Sequence, residues 1–437
     1  MFYDNQITSR FPLAVKACMI ILFLSKICSA QQGQYQFNLV TAPDSIELQK
    51  VTGITQDSKG YMWFVDQRKQ CLIRYDGYNM KRYVYNPGDS NSLGGNGLHR
   101  VYADKEGKIW LGIGNGLDQF DTKTGRFKHY KHDQNDPNSF NGDFVNPILR
   151  DRKGYVWIGT GKGLERLDVN TGKFKHYHHD PNNPKSLSCD VVWTIYEDHR
   201  GELWIGTGFP WSPEPDGGLN RMDKKTGTFT NYLHDPNDPH SLVDNKVGAI
   251  FEDSKGTFWV GTRGDGLHTM DRENGSFERH PYNPAYPWQL SRPPLKHKSD
   301  MISFIQEDGA GVIWIGTNWS GMNAYDPASK KISHFEDDHV FPDKAVWAAF
   351  TSQDGELWVA TEINNHEPFH LYRMDPFLKN MSHIRTPNPV SVFHEDKNGN
   401  IWLGTVESGL ALLPRNNADS IKTFHLPKDL SHFDLHK

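Results

Sequence analysis

Two tryptophans, a histidine and an asparagine recur at one position of a repeated unit and could together hold a sugar. Trp193, Trp347, His99 and Asn146 each lie eleven residues before a second, more regular tryptophan. In the other units the same position reads Thr52, Gly248, Ser303 and Ser391. Aromatic faces stack on sugar rings, and imidazole and amide groups hydrogen-bond hydroxyls. Apolar walls with a few placed polar groups mark small-molecule sites. The position one earlier is always apolar (Val51, Leu98, Val145, Val192, Val247, Ile302, Val346, Val390). A mixed polar and aromatic column beside an apolar one is expected at the mouth of a channel. Arg68, Trp211, Arg263, Trp288, Trp319 and Glu362 lie on irregular connections and complete the candidate ligand-binding set. The competing reading has Trp193 and Trp347 plug the channel, with Trp211, Trp288 and Trp319 packing on their own loops.

Other chemistry leaves weaker traces. Glu362 and Asp265 could form a carboxylate pair for glycoside cleavage, although any large loop face offers such pairs. His132, His179 and His234, each followed by Asp, occupy one repeat position and read as turn formers. The sequence has no Cys/His metal spacing, no Gly-x-Ser-x-Gly elbow and no glycine-rich phosphate loop. No metal and no cofactor are expected. A net charge of −5 argues against a nucleic-acid partner.

The elements that position these residues follow from a motif, Asp-x-x-Gly-x-x-Trp. Its tryptophans are Trp63, Trp110, Trp157, Trp204, Trp259, Trp314, Trp358 and Trp402, the first four spaced 47 residues apart. A period of about 40–50 residues is that of propeller blades. Each unit reads as four short strands, A to D, in an antiparallel meander. In the fourth unit these are the stretch before Glu197, then Leu203-Trp204-Ile205-Gly206-Thr207, then the stretch from Gly218 and that from Thr228. The fold class is therefore all-β: a β-propeller of seven or eight four-stranded antiparallel blades. The motif tryptophans are expected to wedge between blades, each burying ~150–250 Å², and the small residue two positions on to let sheets approach. Antiparallel connectivity puts A–B and C–D turns on one face and B–C loops and D–A linkers on the other. The first are uniform and the second variable, so function is expected on the second.

Residues 1–30 read as a signal peptide, with Arg10 and Lys16 before an apolar run at 17–24 and cleavage after Ala30. Residues 31–437 then form the propeller, in the periplasm. Cys71 and Cys189 fall in different repeats and are not expected to pair. Gln36-Phe37-Asn38-Leu39-Val40 resembles a strand D and could pair with the last blade to close the ring. The chain stops where a ninth strand A would begin, which points to a truncated parent. An eighth repeat could then start a second ring.

The repeat resembles that of the two-component regulator propeller family. The likeness is clearest at Glu197-Asp198, Gly201, Leu203-Trp204-Ile205-Gly206-Thr207 and Gly218-Leu219. It returns at Glu252-Asp253 with Phe258-Trp259-Val260-Gly261-Thr262, and at Glu395-Asp396 with Ile401-Trp402-Leu403-Gly404-Thr405. It recurs over about residues 36–426. The resemblance implies a periplasmic sensor, often two propellers ahead of a Tyr-rich linker domain, a membrane span and a histidine kinase. Many such sensors in Bacteroidetes-like bacteria detect oligosaccharides. The kinase and linker are missing from this chain. The expected function is therefore sensing, with an oligosaccharide as ligand and a dimer or a missing kinase region as partner, and no catalysis. The alternatives are a propeller enzyme (lyase or glycosidase) and a protein-interaction scaffold.

Overall fold

The computed structural model describes residues 36–39, 48–264, 266–294, 300–335, 346–361, 369–375, 380–386, 388–407, 409–415 and 420–423. Among them there is no helix. Each repeat forms one antiparallel sheet in the order A–B–C–D, and eight such blades form an eight-bladed propeller. Blades one to eight span 51–84, 100–131, 148–177, 192–232, 247–279, 302–335, 346–386 and 390–423.

Of the two blade counts the sequence allows, eight is observed, and the eighth repeat closes this ring instead of opening another. Trp402 of blade eight packs on Phe64 and Tyr75 of blade one. Ser391 Oγ donates to Val51 O at 2.5 Å, and Gly409 N to Gln49 O at 2.9 Å. The strand Gln36–Leu39 does pair with the last blade, in register with Ser420–Thr423. It lies parallel, as a fifth, outermost strand. The eighth blade already owns a strand D, so no borrowed strand is needed.

The motif tryptophans are the wedges. Trp63, Trp110, Trp157 and Trp204 are fully buried. Trp157 packs among Leu203, Ile205, Met222 and Phe229 of the next blade, and Trp204 lies 4.6 Å from the Phe258 ring of blade five. Seven indole N–H groups donate to the motif Asp, from Trp63 to Asp57 at 2.9 Å through Trp402 to Asp396 at 3.0 Å. The other oxygen of that Asp accepts turn backbone N–H groups, as from Lys59 and Tyr61. One carboxylate thus fixes the A–B turn and the wedge together.

The small residue of strand B has its expected reason. A Cβ on Gly206 would lie 2.9 Å from Val247 Cγ1 of blade five and 2.6 Å from Thr194 Cγ2. Gly404 faces Val51 in the same way at 2.9 Å, which continues the pattern across the closure. Gly206→Val should cost about 1–3 kcal/mol by overpacking, read as a lowered thermal midpoint. An unchanged midpoint would contradict this account of blade spacing. Cys71 and Cys189 are free and buried, and burial pushes both thiols up to about 11.

Candidate functional site

The column singled out by spacing turns out to be a backbone irregularity. In blades one, four, five, six, seven and eight the A–B register shifts at Thr52, Trp193, Gly248, Ser303, Trp347 and Ser391. A β-bulge places an extra residue in strand A and re-aims its side chain. In blades two and three His99 and Asn146 occupy the same place, with backbone N–H groups bonded to Gly112 O and Gly159 O.

The polar members of the column reach sideways to the next blade. Thr52 Oγ1 donates to His99 O at 3.5 Å, Asn146 Nδ2 to Trp193 O at 3.4 Å and Ser303 Oγ to Val346 O at 3.4 Å. The His99 ring nitrogens lie 2.5 Å from Gly97 O and from Val145 O of blade three. His99 is buried, and burial lowers its pKa against the pull of the two carbonyls. This column is mainly an inter-blade clip, in which His99 reaches the next blade through Nε2 while Nδ1 faces Gly97 O of its own linker.

Trp193 cannot clip and does something else. Its ring meets Phe209 at 6.0 Å and Trp211 at 5.5 Å, both edge-on, and Phe209 and Trp211 lie 5.4 Å apart. Trp211 is 50% exposed and Phe209 44%. Beside them Asn146 Oδ1 accepts from Arg100 at 3.0 Å, and Arg100 is exposed. Phe144, 56% exposed, stacks on the His99 ring at 4.2 Å. Blades two to four thus present an arc of aromatic faces with a guanidinium and an amide.

The loop carrying Phe209 and Trp211 is held from blade five. Lys246, fully buried, donates to the Asp216 carboxylate and, at 2.8 Å, to Asp216 O. Burial raises the Asp216 pKa, but the Lys246 contacts outweigh it and the carboxyl stays below its usual range. Arg263 donates to Ser212 O at 2.8 Å and to Asp244 at 3.0 Å, and Asn245 Nδ2 to Pro215 O at 2.8 Å. These contacts join a B–C loop to a D–A linker, as strand direction requires. On the other face, Lys224 and Arg272 from C–D turns ion-pair with Asp151 and Asp198 of A–B turns.

The other predicted residues are dispersed. Arg263 is a loop anchor. Trp288, 63% exposed, lies next to Pro287, whose carbonyl faces His334 on the outermost strand of blade six, so it sits at the outer edge of the ring. Trp319 is half-buried, its backbone N–H bonded to Asp300. Arg68 is exposed in the B–C turn of blade one. Trp347 belongs to strand A of blade seven. Glu362 and Asp265 lie outside the described residues. Phe144, Phe209, Arg100 and Lys246 were not singled out from the sequence. Phe209 lies two residues before Trp211 on the same loop, but no spacing rule marks the others.

Strand A residues also wall a space of about 280 Å³ beside Ser303, Phe350, Ser391 and Phe393. Among the described residues no group of His, Cys, Asp or Glu is arranged to hold a metal ion.

Comparison with known proteins fits this geometry. The family model described as two component regulator propeller matches residues 186–209, 241–264 and 385–407. These windows each run into a strand B. The extracellular domain of a hybrid two component system of B. thetaiotaomicron superposes with a TM-score of 0.53 at 20% identity. That match covers 91% of this chain and 55% of that one. The extracellular domain of a B. thetaiotaomicron one component system gives 0.49 at 17% identity, over 89% and 53%. Virginiamycin B lyase from Staphylococcus aureus gives 0.45 at 12% identity, over 83% and 94%. The chain therefore spans about half the length of the two B. thetaiotaomicron domains. No curated protein matches it. Three of the eight repeats thus match the two component regulator propeller model, and the fold is shared with the extracellular domain of a hybrid two component system.

Proposed function

We propose that this chain is the ligand-sensing propeller of a two-component signalling system, exported to the periplasm. It binds an oligosaccharide at the B–C/D–A face. Binding proceeds without turnover and is passed on through a dimer, or through a kinase region outside this chain, by favouring one arrangement over another. The observation that carries this reading is the pinned aromatic group of Trp193, Phe209 and Trp211, flanked by Asn146 and Arg100. Large apolar rings held exposed by a buried lysine and an arginine are unlike ordinary loop packing. A rigid platform loses little entropy when a sugar stacks on it.

Isothermal calorimetry against a panel of oligosaccharides tests the proposal. One class should bind saturably, and Trp211→Ala should weaken it about thirtyfold, as expected when a central aromatic contact worth about 2 kcal/mol is removed. Product formation during the titration would establish an enzyme instead. Binding indifferent to Trp211 would move the site off this loop.

A further inference from the structure

Blade seven breaks the motif. Ser352 stands where the other blades carry Asp, and its hydroxyl accepts the Glu356 N–H, at 3.1 Å. Trp358, 3% exposed, is thereby left with a buried indole N–H that has no acceptor. Beside it is a cavity of about 70 Å³, whose lining includes Ser352, Trp358, the cations Arg373 and Arg415 and the carboxylates of Asp354, Glu356 and Glu395. A water needs only ~10–15 Å³ measured in this way, so a small organic group fits.

A second donor belongs to the same constellation. At two earlier interfaces a cation from the following blade's C–D turn meets the motif carboxylate. Lys224 Nζ lies 3.2 Å from Asp151 Oδ2, and Arg272 Nη1 donates to Asp198 Oδ2 at 2.9 Å. Both oxygens also take the indole N–H. Strand pairing puts Arg415 at the corresponding place of blade eight, two residues beyond the partner of the first strand-B residue. Lacking a motif carboxylate, Arg415 turns to Asp354 at 2.7 Å, in an exposed pair. The indole N–H and the guanidinium that elsewhere converge on one carboxylate are both present, and the carboxylate is missing.

We propose that this cavity between blades seven and eight binds a small monocarboxylate, of formate or acetate size, which takes the place of the absent aspartate between Trp358 and Arg415. Glu395 on the cavity wall does not oppose this. The same glutamate stands at the two complete interfaces, where Lys224 bridges Asp151 and Glu197, and Arg272 bridges Asp198 and Glu252. Glu356 is neutralised by Arg373. The site lies on the face opposite the aromatic arc and is independent of it.

The test uses the chain with acetate as probe and chloride as ionic-strength control. In NMR spectra the Trp358 indole N–H resonance, assigned with Trp358→Phe, should shift saturably with acetate and not with chloride. Ser352→Asp supplies the carboxylate internally. It should abolish the response and raise the thermal midpoint in acetate-free buffer. Arg415→Gln should weaken acetate binding about tenfold while leaving the fold intact. An indole resonance unmoved by acetate, an equal response to chloride, or an undiminished response in Ser352→Asp would each overturn the proposal.

Discussion

Trp204→Ala should destabilise the propeller by about 3–5 kcal/mol, the range for emptying a buried tryptophan site. Trp204 has no exposed surface, and its ring fills the seam between blade four and Val247, Phe258, Val260 and Met270 of blade five. Its loss opens a cavity that neither rigid sheet can close, and Asp198 loses one of its partners. Trp204→Phe separates the two effects. The ring remains, but the bond from Nε1 to Asp198 Oδ2 at 2.9 Å is lost, and a bond to a charged group is worth about 1.5–3 kcal/mol. Trp358→Phe provides the internal control. It removes a donor that has no acceptor, so only the change in ring size counts. Urea midpoints should therefore fall clearly more for Trp204→Phe than for Trp358→Phe. Equal falls would mean that the Asp–Trp bond contributes nothing and that the motif is conserved in the repeat for its turn alone.

The repeat was legible because its physics is local. Asp-x-x-Gly-x-x-Trp contains a turn, the strand that leaves it and the ring that strand buries, all within seven residues. Alternation then orders the strands, and strand direction orders the faces. Blade number was not legible. It depends on the angle between neighbouring sheets, set by contacts such as Val51 against Gly404, hundreds of residues apart. The column eleven before each tryptophan was found by spacing. The period shows that the residue is special, but not that Thr52, Asn146 and Ser391 also bond to the neighbouring blade, which depends on contacts between repeats.

A second polar column escaped notice. Asp118, Glu165, Asn220, His268 and Asn323 follow the Gly-Leu or Gly-Met step of strand C and are fully buried. Asp118 accepts from Gly94 N, Asn220 from Ser188 N and His268 from Val243 N, while Asn323 donates to Ser291 O. They fasten the incoming D–A linkers, and so the loop face, to the blades. Four residue types meet one need, so no single letter announces it. The polar residue inside an apolar strand was the available signal.

Acidification should weaken the protein through His268, the one member of this column that gains a charge on protonation. Nε2 accepts from Val243 N at 3.0 Å, and Nδ1–H donates to Val260 O at 3.1 Å. The bonding pattern needs the neutral ring. Burial pushes its pKa down to about 3, outweighing the backbone bonds that favour the charged form. The unfolded chain takes up this proton near pH 6.5, the folded one only near 3. The stability contributed by a neutral His268 is therefore intact above 6.5 and lost as pH falls from 6.5 towards 3. By pH 4 the loss amounts to about 3 kcal/mol, from about 1.4 kcal/mol per pH unit. His394, lowered to about 4 mainly by burial, acts in the same direction. Asp118 and Glu165, raised by burial, act in the opposite one. The quantity to measure is thus the difference between the wild type and His268→Asn, a residue that already fills this position in blades four and six. At pH 7 the variant should be equal or less stable in urea. At pH 4 the difference should have moved by about 3 kcal/mol in its favour. Parallel pH profiles for the two proteins would show that His268 accepts its proton in the folded state, and that the Val243 anchor does not depend on a neutral ring.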